Sequence, residues 1–347
     1  MLFRAFCLVL LVFVAPVQAY ADALTRAMLA GLSGSERLRQ FTLGQATLQH
    51  RDDPRLRAAM RSSLQETGFY FAGSGPAVLS RQFRWSPVLS YDANINGGFL
   101  NDQFDIFGLA FEVDPARRAL SGVVAGLRGA GDLRLGYGEG RYLDLRGSLE
   151  AVWSPEHGIG RGQAGFEACA RNHLRGWTFA DVCVTGARSW RSLSSTTTAT
   201  ASLRFAHLVE TGTSEHEFSA GVTRYFQDPG PQNALSFGWT AVWNRATTGV
   251  DLTLAAPVAG ETAMRHRLSA NATWLWGTRP VSVGIWQQVA DGGLFLGAAR
   301  ADRVQGLSLT VRPRADMAVE FVHQVTDSTI NLFDENRMGI NLRFDLR

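Results

Sequence analysis

The chain has 347 residues, 34 Lys+Arg against 31 Asp+Glu and a net charge of +3, and all of its basic residues are Arg. Nearly balanced charge excludes the electrostatic footprint of a nucleic-acid binder, and an apolar content of 46% excludes disorder. Three Cys, one of them in the leader, are too few for a disulfide scaffold.

Residues 1–19 read as a secretory signal peptide. Arg4 supplies the positive n-region, residues 5–15 the apolar run, and Val17-Gln18-Ala19 the small-residue cleavage site. The run is shorter than the ~20 residues of a spanning helix, and no long apolar stretch follows it. The mature chain is therefore expected to be exported without a transmembrane helix. Residues 20–80 read as a short helical extension and linker. Leu24, Met28 and Leu32 recur at helical spacing, 35–39 and 54–64 look like further amphipathic turns, and Asp53-Pro54 is a helix start. The segment 66–80, rich in Gly, Ser and Ala, reads as the linker. Such a head is too small to hold a core alone. It is expected to cap the main domain, plug it, or touch a partner.

From there the pattern changes to period two, over a body placed at 81–347. Leu143, Leu145, Gly147, Leu149, Ala151 and Trp153 share one face of 141–153, against Tyr142, Asp144, Arg146, Ser148 and Glu150 on the other. Residues 233–244, 267–276 and 338–346 alternate in the same way, the signature of half-buried strands. About fourteen such strands follow one another at a spacing that suits membrane-spanning strands with turns. Long linkers at 95–117, 226–232, 288–302 and 327–336 alternate with short ones at 136–139, 172–176, 277–280 and 313–316. Short periplasmic turns and longer outer loops are the asymmetry of bacterial barrels. The predicted fold is all-β: an antiparallel up-and-down transmembrane β-barrel of about fourteen strands in the bacterial outer membrane.

A secreted soluble sandwich shares this periodicity, but would bury its apolar faces against each other. The barrel turns them to lipid, its first expected partner, and three features favour it. Aromatics recur near strand ends (Trp85, Trp153, Trp177, Trp243, Trp274, Trp276, Phe344), as an interfacial girdle requires. The apolar face mixes Leu with Ala and Gly. The polar face collects charges of both signs, so Arg128, Arg134, Asp144, Arg146, Glu150, Arg161, Glu167, Arg171, Arg204, Arg267, Arg312 and Arg343 are expected to line a wet lumen. Cys169 and Cys183 fall on the luminal faces of adjacent strands, and in the oxidising periplasm they are expected to form a disulfide. A metal site there lacks a third ligand.

Nothing points to catalysis. No zinc-protease, nucleophile-elbow, phosphate-loop or dinucleotide motif occurs. Ser154-Pro155-Glu156-His157 and the acids Asp102, Asp105, Asp114, Asp334 and Glu335 fall on predicted outer loops. They read as solvated loop residues. No enzyme, metal or cofactor is expected.

Two stretches carry a resemblance. Ser86-Pro87-Val88-Leu89-Ser90-Tyr91-Asp92-Ala93-Asn94-Ile95-Asn96-Gly97-Gly98 opens the barrel, and Ser328-Thr329-Ile330-Asn331-Leu332-Phe333-Asp334-Glu335-Asn336-Arg337-Met338-Gly339-Ile340 closes it. Both resemble the C-terminal barrel of the surface lipoprotein assembly modifier family, over residues 84–347. The resemblance implies a fourteen-stranded barrel that helps client proteins reach the cell surface, with a surface lipoprotein or secreted client as partner. The family's N-terminal tetratricopeptide-type domain is here reduced to the short head. Three functions stay open: a translocation or assembly barrel working through the seam between its first and last strands, where Pro87 lacks a backbone donor; a passive porin for small solutes, biased to anions by luminal Arg; and a structural or adhesive barrel with binding loops.

Overall fold

The computed structural model describes residues 23–212, 214–227, 230–314 and 317–344, without the side chains of Ala23, Leu24, Arg343 and Phe344. The leader at 1–19 lies outside these residues, and so does the side chain of Arg343 that was expected in the lumen.

Among the described residues the head forms three helices, α1 (Ala23–Leu32), α2 (Glu36–Gln49) and α3 (Pro54–Glu66). Local chemistry sets their starts. Ser35 caps α2 by accepting a hydrogen bond from the Leu38 N–H, and Asp53 caps α3, with Pro54 in the first turn, where no backbone donor is needed. Ala27, Leu43, Ala46 and Leu56 pack the three helices against one another.

The strands are β1 (Ala77–Asp92), β2 (Gln103–Ile106), β3 (Leu109–Glu112), β4 (Gly122–Gly138), β5 (Arg141–Ser154), β6 (Ile159–Arg175), β7 (Thr178–Trp190) and β8 (Ser195–Thr211). They continue as β9 (Ser214–Gln227), β10 (Gln232–Val242), β11 (Ala246–Ala255), β12 (Ala263–Trp276), β13 (Arg279–Phe295), β14 (Ala298–Arg314), β15 (Met317–Ser328) and β16 (Glu335–Phe344). β2 and β3 form a separate hairpin; the other fourteen pair with their chain neighbours, and β16 returns to β1 to close a barrel. Closure removes the edges that an open sheet of this size would expose.

The faces separate as period two requires. Leu127, Leu149, Phe166, Val182, Phe205, Phe218, Val222, Phe237 and Ile340 all point outward and are exposed. An apolar belt running round a closed barrel is a lipid-facing surface. The protein is a β-barrel of the bacterial outer-membrane kind. Apart from the tip at Leu296-Gly297, its short two- and three-residue turns gather at the end that such barrels place in the periplasm, and the long segment 93–121 lies at the other.

Several boundaries differ from the sequence reading. At 226–232, read as a long linker, β9 runs on to Gln227 and β10 starts at Gln232. β1 starts at Ala77, inside the stretch read as linker. The region 288–302, read as a long loop, is a continuous hairpin with a two-residue turn at Leu296-Gly297. Its Gly292-Gly293 pair does not end the strand; the register shifts between Asp291 and Gly293, so the glycines absorb a bulge.

The outer segment 93–121 is the long loop expected from sequence, and it reaches across the mouth. On one side it joins the β7–β8 loop: Leu193 N–H donates to Asn96 O at 2.8 Å, and the Arg191 guanidinium donates to Asn94 O. On the other it joins the β15–β16 loop, where Asn101 Nδ2 donates to Asn331 O at 2.6 Å and Asp334 O at 2.8 Å. Ile106, Val113, Ile330 and Leu332 bury a small apolar cluster beneath it.

Candidate functional site: a plugged, arginine-lined lumen

The luminal wall follows from register, because residues directly opposite on neighbouring strands share a face. Arg171 faces Asp181, which faces Arg204; the row continues through Gly221, Ser236 and Thr253 to Arg267. Arg128, Arg134, Asp144, Arg146, Glu150, Arg161 and Glu167 occupy the same face of β4, β5 and β6. Arg312 stands two residues from Thr310, which pairs with Glu320 on the luminal face. Cys169 and Cys183 are direct cross-strand partners, Cα–Cα 4.1 Å, and are joined as a disulfide.

The charges on β4 to β9 fall into three clusters, around Asp144, around Glu150 and around Glu217. Asp144 takes Arg146 at 2.9 Å, Arg171 at 3.4 Å and Arg134 at 3.6 Å. Glu150 takes Arg128 and, at 3.3 Å, Arg161, which also holds Asp92 at 2.6 Å. Arg171 reaches Asp181 at 3.2 Å and Glu167 at 3.6 Å, and Arg204 reaches Glu217 at 3.3 Å. The wall from β10 to β15 has a different character. Thr240, Asn271, Thr273, Ser282, Ser308 and Thr310 line it, and Thr273 and Ser282 share a 2.8 Å hydroxyl–hydroxyl bond.

Acids and bases are not presented alike. The Arg146 side chain is 48% exposed and its partner Asp144 3%; Arg204 is 47% exposed and Glu217 6%. Arg128 at 33% stands over Glu150 at 4%. At these three pairs the carboxylate lies against the wall and the guanidinium group faces the water, whereas Glu167 at 33% is more exposed than Arg171 at 21%, and Glu36 at 32% more than Arg134 at 10%. Around Arg128, Arg146 and Arg204 the lumen thus presents positive charge to the water.

The head fills the periplasmic end. Its tip, Ser35-Glu36-Arg37, reaches three different strands: Ser35 Oγ donates to Glu217 on β9, Glu36 pairs with Arg134 on β4 at 2.8 Å, and Arg37 grips Asp181 on β7 through two bonds. Arg26 on α1 pairs with the buried Glu215 of β9, and Arg134 donates a second bond, 3.0 Å, to Glu66 O at the end of α3. Below the tip, Leu29, Leu38 and Phe41 pack on Phe179, Leu208 and Val242 at the strand ends. Trp177 meets the Phe41 ring edge-on at 4.8 Å. Above the tip remains a polar cavity of about 290 Å³, with Arg146, Arg171, Arg204, Glu217, Thr240 and Asp251 on its barrel side.

Sequence reasoning missed the plug's own contacts. Arg26, Glu36 and Arg37 read as ordinary polar faces of short helices. The signal in the sequence was Gly34 followed at once by a cap residue, Ser35, and two opposite charges, Glu36 and Arg37; in the structure Gly34 takes the left-handed turn, φ 79°.

These features define the class: an outer-membrane β-barrel with a polar lumen and an N-terminal helical plug. No known protein family matches the sequence, and no curated protein matches it. The assembly-modifier resemblance therefore has no family match behind it. Among solved structures, Pseudomonas aeruginosa OpdK with vanillate is similar at 10% identity over 77% of this chain and 98% of that one, TM-score 0.40. P. aeruginosa OccK2 (OpdF) in complex with glucuronate gives 8%, 77%, 99% and 0.40. A BenF-like porin from Pseudomonas fluorescens Pf-5 gives 6%, 77%, 98% and 0.41. At TM-scores near 0.4 this likeness carries no argument, and the barrel assignment rests on the geometry of the chain itself.

Proposed function

We propose that this protein is a plug-gated outer-membrane channel for small anionic solutes. The observation that carries it is the asymmetry of three luminal ion pairs: Arg146, Arg204 and Arg128 face the water while Asp144, Glu217 and Glu150 are buried behind them. Fixed charge around a narrow aqueous path selects ions of opposite sign. The plug supports the gating. It is held largely by ion pairs and by a small apolar patch, a bond set that can be released without unfolding the barrel. The test is the reversal potential of the purified full chain in a planar bilayer under a KCl gradient. The open state is expected to prefer chloride. A reversal potential at or beyond the cation-selective side refutes the reading.

A second reading, passage of a client polypeptide, is favoured by the seam. Among the described residues β1 and β16 pair only at Val88–Arg343, Leu89–Leu342 and Ser90–Asn341, whereas β1 pairs with β4 from Ala77 to Asp92. The ladder stops at Pro87, which has no N–H to donate. A cross-link between Ser90→Cys and Asn341→Cys separates the two. It leaves solute conductance intact, and it abolishes surface delivery of a lipoprotein if the seam must open.

A further inference from the structure

Among the described residues two non-glycine residues have positive φ: Phe107 at 54° and Leu296 at 49°. Each is followed by a glycine in the same region, Gly108 at 78° and Gly297 at 86°. Each sits in a two-residue turn, since Ile106 pairs with Leu109 and Phe295 with Ala298. This is the type I′ hairpin, whose first central position favours Asn or Asp because a bulky side chain is strained there. Both side chains also point into solvent, Phe107 77% exposed and Leu296 64%. Neither local conformation nor burial explains a large apolar residue at either position.

The two turns lie together. Phe104 of β2 meets Phe295 at 6.2 Å, and Ile106 shares its apolar cluster with Phe295 and Ala298. Leu109, Phe111 and Leu294 add exposed apolar surface beside them. β3 is exposed along its whole length and, among the described residues, pairs only with β2. Alternation in the ladder leaves the N–H and C=O of Ala110 and Glu112 on the free edge. Around it stand Asp102, Asp105, Glu112 and Asp114, all exposed, against the two bases Arg117 and Arg118. Arg118 is drawn to Asp102 at 3.8 Å and Glu112 at 3.4 Å, so the rim remains acidic.

We propose that the free edge of β3, with the Phe107 and Leu296 tips beside it, is a docking surface on the cell exterior for an extended polypeptide segment of apolar side chains with basic flanks. An unpaired edge supplies main-chain hydrogen bonds, adjacent apolar side chains grip alternate residues of the added strand, and the acidic rim selects a cationic partner.

The test uses the purified full chain and a labelled hexapeptide, Arg-Val-Leu-Val-Thr-Arg, in a titration followed by fluorescence anisotropy. Saturable binding is expected. N-methylation at alternate backbone nitrogens, or Glu in place of the flanking Arg, is expected to weaken it about tenfold or more. The double variant Phe107→Asn, Leu296→Asn relieves the turns, keeps the heat-modifiable gel mobility of a folded barrel and loses binding to a similar degree. Absence of binding to the unmodified chain overturns the proposal. So does equal binding of the N-methylated or Glu-flanked peptide, or binding that the double variant leaves unchanged. Self-association of the chain, or attachment to lipopolysaccharide vesicles, that the double variant abolishes while peptide binding is absent would assign the patch to those partners instead.

Discussion

The plug's hold on the wall can be loosened by replacing Arg26 and Arg37 with Gln. Glu215 is 2% exposed at its side chain, so removing Arg26 strands a buried carboxylate at a cost of about 3 kcal/mol. Asp181 is equally buried but keeps Arg171 at 3.2 Å, so the loss of Arg37 costs less, about 2 kcal/mol. The apolar contact of Leu29, Leu38 and Phe41 with the rim remains, at about 2 kcal/mol for each side chain. The double variant therefore weakens the plug by about 5 kcal/mol, or between three and four powers of ten in the closed-to-open ratio, without erasing its docking. Single-channel recording reads this directly. The unmodified chain is expected to show rare openings, and the double variant long-lived openings of the same unit conductance. Arg55 and Arg57, exposed on α3, are the control pair, and their replacement with Gln should leave the record unchanged. Equal open probability in the unmodified chain and the Arg26, Arg37 variant would refute the gating argument.

Other consequences follow from the same geometry. Arg146→Gln with Arg204→Gln removes the two most exposed guanidinium groups of the cavity and leaves Asp144 and Glu217 less compensated; the reversal potential should move toward cations, and an unmoved value would deny them a role in selectivity. Leu149→Arg sets a charge on the lipid face and should cost about 2–4 kcal/mol in refolding into lipid vesicles, while Ser148→Arg, on the luminal face of the same strand, should be tolerated. Cys169→Ser with Cys183→Ser opens a 14-residue loop between paired strands and should lower the temperature of heat modification, through a loss of up to about 3 kcal/mol. An unchanged transition would mean that the β6–β7 ladder alone fixes that hairpin.

Period-two alternation made the barrel readable from sequence, because one lipid-facing and one water-facing surface impose opposite chemistry on successive residues. It also placed the luminal charges: Arg171, Arg204 and Arg267 follow directly from parity and lie in one row of the barrel. Parity says nothing of which charges meet. That Asp144 gathers three arginines, or that Glu150 joins two, depends on the stagger between strands, which sequence does not show. The plug was harder still. Short amphipathic helices look the same whether they cap a barrel, fill it or lie beside it, and only the contacts of Arg26, Glu36 and Arg37 distinguish these. The β13–β14 tip was misread for a separate reason. Gly292-Gly293 has the composition of a turn, while the actual turn carries Leu296, a residue that turn chemistry disfavours.

The most direct test of the central claim is a lock between the plug tip and the wall. With Ser35→Cys and Glu217→Cys placed on an Arg26→Gln, Arg37→Gln, Cys169→Ser, Cys183→Ser background and joined by a short reducible cross-linker, the linked protein should hold the plug in the lumen and the reduced protein, its main ion pairs removed, should release it. A silent bilayer that begins to pass an anion-selective current on reduction is the predicted result. The same current before and after reduction would contradict the claim that the N-terminal helices close this barrel.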